Sequence, residues 1–318
     1  VAFGYNRLKY VYGLMIFIVI TLFLATFLCW FSLIRKNTSD SVSILIKSLI
    51  VSSNVYLFGF LLSRWINYGY FPLSNLYESL VFLVWCLTVV QLITEFKTSS
   101  RIIGSILTPI QFLTISFASF LPESMKIPAR LVPALQSNWL MFHVTMMILS
   151  YATLILGSLL SVLLVVLILK TNKKKAITSD LELDSPSHLD LQFNLAQISL
   201  NESLLKKKNI SSRSLLLTNL DVWSYRTIGF GHIALTLGIL AGAVWANESW
   251  GSYWSWDPKE TWSLITWLIF TAYLHARLIN NWKGLETALI GSLGFFSIWV
   301  SYLGVNFLAT GLHSYGWV

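Results

Sequence analysis

Runs of 18 or more mostly apolar residues recur along this chain, at about 11–34, 43–66, 76–95, 102–121, 138–169, 226–247, 261–279 and 286–308. Each is long enough to cross a hydrocarbon core of ~30 Å as a helix, and in lipid only helices and closed barrels satisfy their own backbone. Barrel strands would read as alternating segments of roughly ten residues, which these are not. The chain therefore reads as all-α, a polytopic membrane protein of about eight transmembrane helices. Of its 318 residues 55% are hydrophobic and 11% charged, against ~25% charged in soluble domains, which excludes a soluble enzyme. The first run is followed by Arg35 and Lys36 with no small-residue cleavage site, so it reads as a retained helix.

The second run is the most polar, with Lys47, Ser52, Ser53, Asn54 and Arg64, which in a membrane must lie near helix ends or face protein. Cys29 and Cys86 sit inside apolar runs and form no CxxC, so they read as buried structural thiols. The net charge of +8 comes from basic residues between apolar runs. Those residues are not interleaved with aromatics on a soluble face, so the charge encodes topology and calls for no nucleic acid. Residues 170–225, rich in Ser, Asn, Leu and Lys, read as a basic, partly disordered insert between the first five helices (1–169) and the last three (226–318). Arg35, Lys36, Lys47, Lys97, Arg101, the insert, Arg226, Arg277 and Lys283 share one side, which the positive-inside rule makes cytoplasmic or stromal. Both termini, the loops 67–75 and 122–137, and the segment 248–260 then face the opposite compartment.

That segment carries the chemistry. Trp245, Trp250, Trp254, Trp256, Trp262 and Trp267 are six of the 14 tryptophans. An interfacial aromatic belt would account for their number. Their order says more, because Trp250 through Glu260 places large rings just before a helix start. Asp257 suits the N-cap, Pro258 the first helical position and Glu260 the third, the pattern of a capping box. A belt needs no fixed order, whereas a planar apolar ligand needs rigid aromatic walls with metal ligands close by.

Five histidines test that idea: His143, His188, His232, His275 and His313. His143 begins the fifth helix on the aromatic-loop side and His313 follows the eighth on the same side, so the two can meet above the loop. His275 lies ~27 Å along the seventh helix from Asp257 at 1.5 Å per residue, in the inner half of the membrane. His188 falls in the insert, and His232 reads as a packing or hydrogen-bonding residue. Singly, an intramembrane histidine is as readily a hydrogen-bonded bundle residue as a ligand. In combination with the aromatic loop, two neutral imidazoles match six-coordinate haem binding.

The segment Gly242 to Trp262 resembles the tryptophan-rich WWD signature of haem-handling proteins. More narrowly, it is similar to the plastid-encoded haem-attachment family of the System II cytochrome c pathway. Phe71-Pro72-Leu73-Ser74-Asn75-Leu76-Tyr77-Glu78-Ser79-Leu80, Leu131 to Ser137, Tyr273-Leu274-His275-Ala276-Arg277 and Gly311-Leu312-His313-Ser314-Tyr315-Gly316 carry the same likeness. The resemblance implies that His143 and His313 hold haem iron beside a loop containing Trp250, Trp254, Trp256, Asp257 and Glu260. It further implies a second haem site at His275, completed by a Ccs1/CcsB-type membrane subunit. The substrates would be haem and apocytochrome c-type proteins such as cytochrome f. Their CxxCH cysteines would form thioether bonds with the haem vinyl groups, making the chain part of a cytochrome c haem lyase. The implied location is the thylakoid membrane, with the tryptophan loop lumenal and the insert stromal. A haem exporter without ligase activity would use the same ligands, and a b-type electron-transfer cytochrome would need a partner at the depth of His275, where only His232 is on offer. For the haem propionates, Arg64, Lys126, Arg130, Lys259 and the amides of 258–260 are equal candidates.

Overall fold

The computed structural model describes residues 2–35, 40–98, 100–127, 137–182 and 192–308. The described elements are all helical: α1 (Ala2–Ile34), α2 (Asp40–Tyr68), α3 (Leu76–Thr98), α4 (Arg101–Phe120), the single turn α5 (Glu123–Lys126), α6 (Asn138–Glu182), α7 (Gln192–Trp250), α8 (Pro258–Leu278) and α9 (Leu285–Trp299). A π-helical segment (Val300–Gly304) then leads into the short α10 (Val305–Leu308). Among the described residues, seven helices are long and apolar enough to cross a membrane, making this a multi-pass all-α membrane protein. The remaining expected span, α8, forms over 21 residues. It is too polar to join the seven, because Lys259, Glu260, His275 and Arg277 and several hydroxyl residues share it.

α6 continues to Glu182 and α7 opens at Gln192, so the described part of 170–225 is helix. Its Leu, Lys, Glu and Gln content favours helix once one is nucleated. Its end is also packed, with Leu220 and Ser224 buried. His188 lies outside the described residues.

The chain forms two compact units, the first made of Val1–Leu154, Phe230–Leu264 and Val300–Val318, the second of Ile155–Gly229 and Ile265–Trp299. In the first, α1 packs on α2 and α4, and α3 on the same two. Polar cross-links replace the hydrophobic drive that lipid does not supply. Thr21 and Ser53 hydroxyls meet at 2.9 Å, Asn54 Nδ2 donates to Thr88 Oγ1 at 2.7 Å, and Gln111 Nε2 donates to Gln91 Oε1 at 2.8 Å. Ser53 and Asn54 of α2 thus turn inward, while Lys47 and Ser48 near its start are exposed. Cys29 and Cys86 are buried thiols.

In the second unit, α6 and α7 run against each other. The Ser161 and Ser224 hydroxyls are 2.7 Å apart, and Ser224 Oγ also donates to the Gly157 carbonyl at 3.0 Å. α8 joins α7 through a two-pronged ion pair, with Arg277 Nη1 and Nη2 at 2.7 and 2.6 Å from the two carboxylate oxygens of Asp221. The guanidinium also stacks over Tyr225, 5.2 Å from the ring centroid.

Candidate functional site

In the first unit, α6 and α7 are antiparallel and meet through glycines. Gly231 faces Thr153 and Leu154, Gly238 faces Met147, and Gly242 faces His143. Gly238 and Gly242 form a G-x-x-x-G pair, the spacing that brings two membrane helices close. That approach sets the histidine. Nδ1 of His143 lies 2.6 Å from the Gly238 carbonyl oxygen, so this nitrogen is the N–H donor and Nε2 carries the lone pair, the state in which imidazole ligates a metal. Trp245 stacks on the same ring, at 6.3 Å between centroids and 13° between planes, and Trp250 packs edge-on against Trp245 at 4.9 Å.

α7 stops at Gly251, whose φ of 74° is left-handed and whose N–H reaches back to the Asn247 carbonyl at 2.9 Å; glycine is the residue that makes this cap without strain. The tryptophan loop then closes on a reciprocal capping box. Glu260 accepts from the backbone N–H of Ser255 at 2.8 Å and of Asp257 at 3.3 Å, while Asp257 Oδ2 accepts from the Lys259 N–H at 3.2 Å. Trp256 sits within this turn at a φ of 60°, a region that bulky residues seldom adopt.

These elements enclose a cavity of about 510 Å³, within the ~300–1,000 Å³ range of small-molecule sites. His143, Trp254, Lys259 and Glu260 line it, with Tyr151 from α6 and Tyr302 and Asn306 from the chain end. Tyr302 donates to Ser79 Oγ on α3 at 2.9 Å, and the Tyr151 and Ser301 hydroxyls are 3.2 Å apart. Asn306 Nδ2 donates to the Tyr302 carbonyl at 2.6 Å, while its buried Oδ1 accepts nothing among the described residues.

The expected site residues thus separate. His143, Trp254 and Glu260 come together on the cavity. Trp250 stands behind it, against Trp245. Trp256 is 69% exposed outside it, edge-on to Trp254 at 5.9 Å. Asp257 is buried as the cap of α8. His275 is exposed on α8 in the second unit, outside this cavity, and His232 is half-buried on α7. His313 and Arg130 lie outside the described residues, and with them the expected meeting of His143 and His313.

The cations also separate. Glu78, fully buried, accepts from Ser74 N and Oγ, Tyr70 and Arg64 Nη1, all at 2.9–3.2 Å. Arg64 Nη2 donates to the Lys126 carbonyl at 2.5 Å. Lys126 Nζ donates to the Ser119 carbonyl at 2.8 Å and lies 3.2 Å from Glu123 Oε1. Lys259 lines the cavity.

Reading residues one at a time missed Tyr151, Tyr302 and Asn306, and did not show that Trp245 stacks on His143. The G-x-x-x-G spacing is a signal that points to the α6–α7 contact, whereas a π-helical turn leaves no residue pattern of its own, though such turns recur at functional sites.

Residues 73–313 match the cytochrome C assembly protein family. A cytochrome c biogenesis protein CcsA from Heterosigma akashiwo is 54% identical over 301 residues, covering 93% of this chain and 92% of that protein. The CcsA of Trieres chinensis is 49% identical over 312 residues, 97% of this chain and 96% of that one. The CcsA of Marchantia polymorpha is 48% identical over 304 residues, 93% and 94% respectively. With the likeness running through α6, α7, the tryptophan loop and α8, the chain belongs to the cytochrome c assembly protein family, on its CcsA branch.

Proposed function

We propose that this chain receives haem in the cavity beside the tryptophan loop and attaches it, with a Ccs1/CcsB-type subunit, to the CxxCH cysteines of apocytochrome c. The observation that carries this reading is His143, locked by Gly238 in the ligand tautomer within a cavity walled by Trp254. His313 is the second axial ligand in this reading. Attachment adds each substrate S–H across a vinyl C=C. A sulfur–carbon bond forms, the thiol hydrogen goes to the other vinyl carbon, and no electrons are exchanged. The nucleophile belongs to the substrate, so the chain contributes orientation, worth ~7–11 kcal/mol for well-placed pairs, and exclusion of water and oxygen.

His275 completes a second haem site with a ligand from the partner subunit. Its exposure on α8, on a stripe shared with Leu268 and Ile279, suits a ligand that meets another protein in the membrane. The basic side is stromal and the tryptophan loop lumenal, in a thylakoid membrane. Absorption spectra of the purified protein, with and without the partner, test the reading. Low-spin bis-histidine bands that His143→Ala diminishes are expected. A protein devoid of haem in both states, with normal holocytochrome yield from His143→Ala, would overturn it. Purified complex given haem and reduced apocytochrome separates a ligase, which yields the thioether product, from an exporter, which does not.

A further inference from the structure

One wall of the cavity is built from very little. Ser124, Met125 and Ile127 line it, yet α5 buries none of its residues, and Ser124 and Ile127 are exposed. The backbone bonds of this turn are local, from the Met125 N–H to the Pro122 carbonyl at 3.0 Å and from the Ile127 N–H to the Glu123 carbonyl at 3.2 Å. A segment with so few buried contacts opens easily unless something else holds it.

Two side chains reach this wall from other elements. Arg64 of α2 donates Nη2 to the Lys126 carbonyl at 2.5 Å, and Asn75, just before α3, donates Nδ2 to the Ile127 carbonyl at 3.3 Å. Both are fixed by one buried residue. The Glu78 carboxylate takes Nη1 of Arg64 at 2.9 Å, and the Glu78 N–H donates to Asn75 Oδ1 at 2.8 Å. The guanidinium also lies over the rings of Phe60 and Tyr77, 5.4 and 5.2 Å from their centroids. Stability alone is a poor reason for such a pair, because buried ion pairs are often no better than apolar replacements. As a bracket it does something else, since each side chain keeps one group on Glu78 and presents the other to a carbonyl of the wall.

Resting on the reading that this cavity receives haem, we propose that Arg64 and Asn75 are positioning residues that hold residues 124–127 in place and so set how fast haem enters and leaves. Their bonds join protein groups whether or not a ligand is bound. Breaking one lets the wall open more often in both states, so entry and release quicken by the same factor while affinity stays put.

The experiment mixes the full-length protein in detergent with iron protoporphyrin IX under stopped flow, and measures release by transfer to excess apo-globin. Arg64→Lys keeps a cation beside Glu78 and loses the second prong. Asn75→Ser keeps an oxygen to cap α3 and is too short to reach the Ile127 carbonyl, so the test stands even where Arg64→Lys fails to accumulate. Both rates should rise about tenfold in Arg64→Lys and about threefold in Asn75→Ser, with Kd within about twofold of the wild type. A purely structural role would lower the melting temperature and leave both rates unchanged, which overturns the assignment. Faster release with unchanged entry also overturns it, because the wall would then be a fixed ligand contact. A wild type that binds no porphyrin overturns the haem reading itself, and this assignment with it.

Discussion

A β-carbon on Gly242 would stand 2.6 Å from both Cε1 and Nδ1 of His143. Real β-carbons do not come so near, and the neighbour here is a ring held by a hydrogen bond to Gly238. Gly242→Ala should therefore displace the imidazole and loosen the bond that fixes its tautomer. Changes to such outer partners cost ~10–100-fold in metal affinity. Haem retained by purified Gly242→Ala should fall on that scale, with Gly229→Ala as control, because nothing lies within 4 Å of a β-carbon there. Equal haem content in both variants would remove the steric role of Gly242.

Trp254 and Trp256 should not behave alike. Trp254 lines the cavity, so Trp254→Ala removes a wall and should lower haem retention several-fold, since aromatic contact adds ~0.5–1.5 kcal/mol beyond area burial. Trp256 lies outside at a left-handed φ of 60°. Trp256→Gly relieves ~1–2 kcal/mol of backbone strain and should leave haem retention within about twofold. The comparison is read from haem-to-protein ratios, and a larger loss in Trp256→Gly would mean that the exposed ring meets haem or substrate directly.

Asp221 lies in the stretch expected to be an insert, yet it forms a bidentate pair with Arg277 whose side chains are only 13% and 9% exposed. Removing one partner of such a pair typically costs ~3–5 kcal/mol, while replacing both with apolar residues is far milder. Asp221→Ala should thus lower accumulation and thermal stability, and Asp221→Leu with Arg277→Met should recover most of both. Removing residues 176–211 and joining the ends with a flexible linker should leave holocytochrome yield near normal. Loss of yield from a deleted protein that accumulates normally would give that stretch a docking role.

What could be read from residue order was local. Asp257, Pro258 and Glu260 span four positions, and their capping box formed as the spacing required. The inward turn of Ser53 and Asn54 follows from lipid being unable to satisfy them. The pairing of Arg64 was not local: its guanidinium reaches Glu78 and the Lys126 carbonyl, 14 and 62 residues away. The end of the 170–225 stretch hid its packing because Ser224 and Asp221 are polar yet face helices α6 and α8. The role of Trp245 depends on a glycine contact between two helices nearly a hundred residues apart.

Order of loading can be tested through His275. If haem reaches the outer cavity by way of the His275 site, His275→Ala should empty both sites. His143→Ala should instead keep haem at the inner one. Haem content of each variant, copurified with the partner subunit, decides between a relay and independent loading. Full outer-site haem with normal attachment in His275→Ala would exclude the relay.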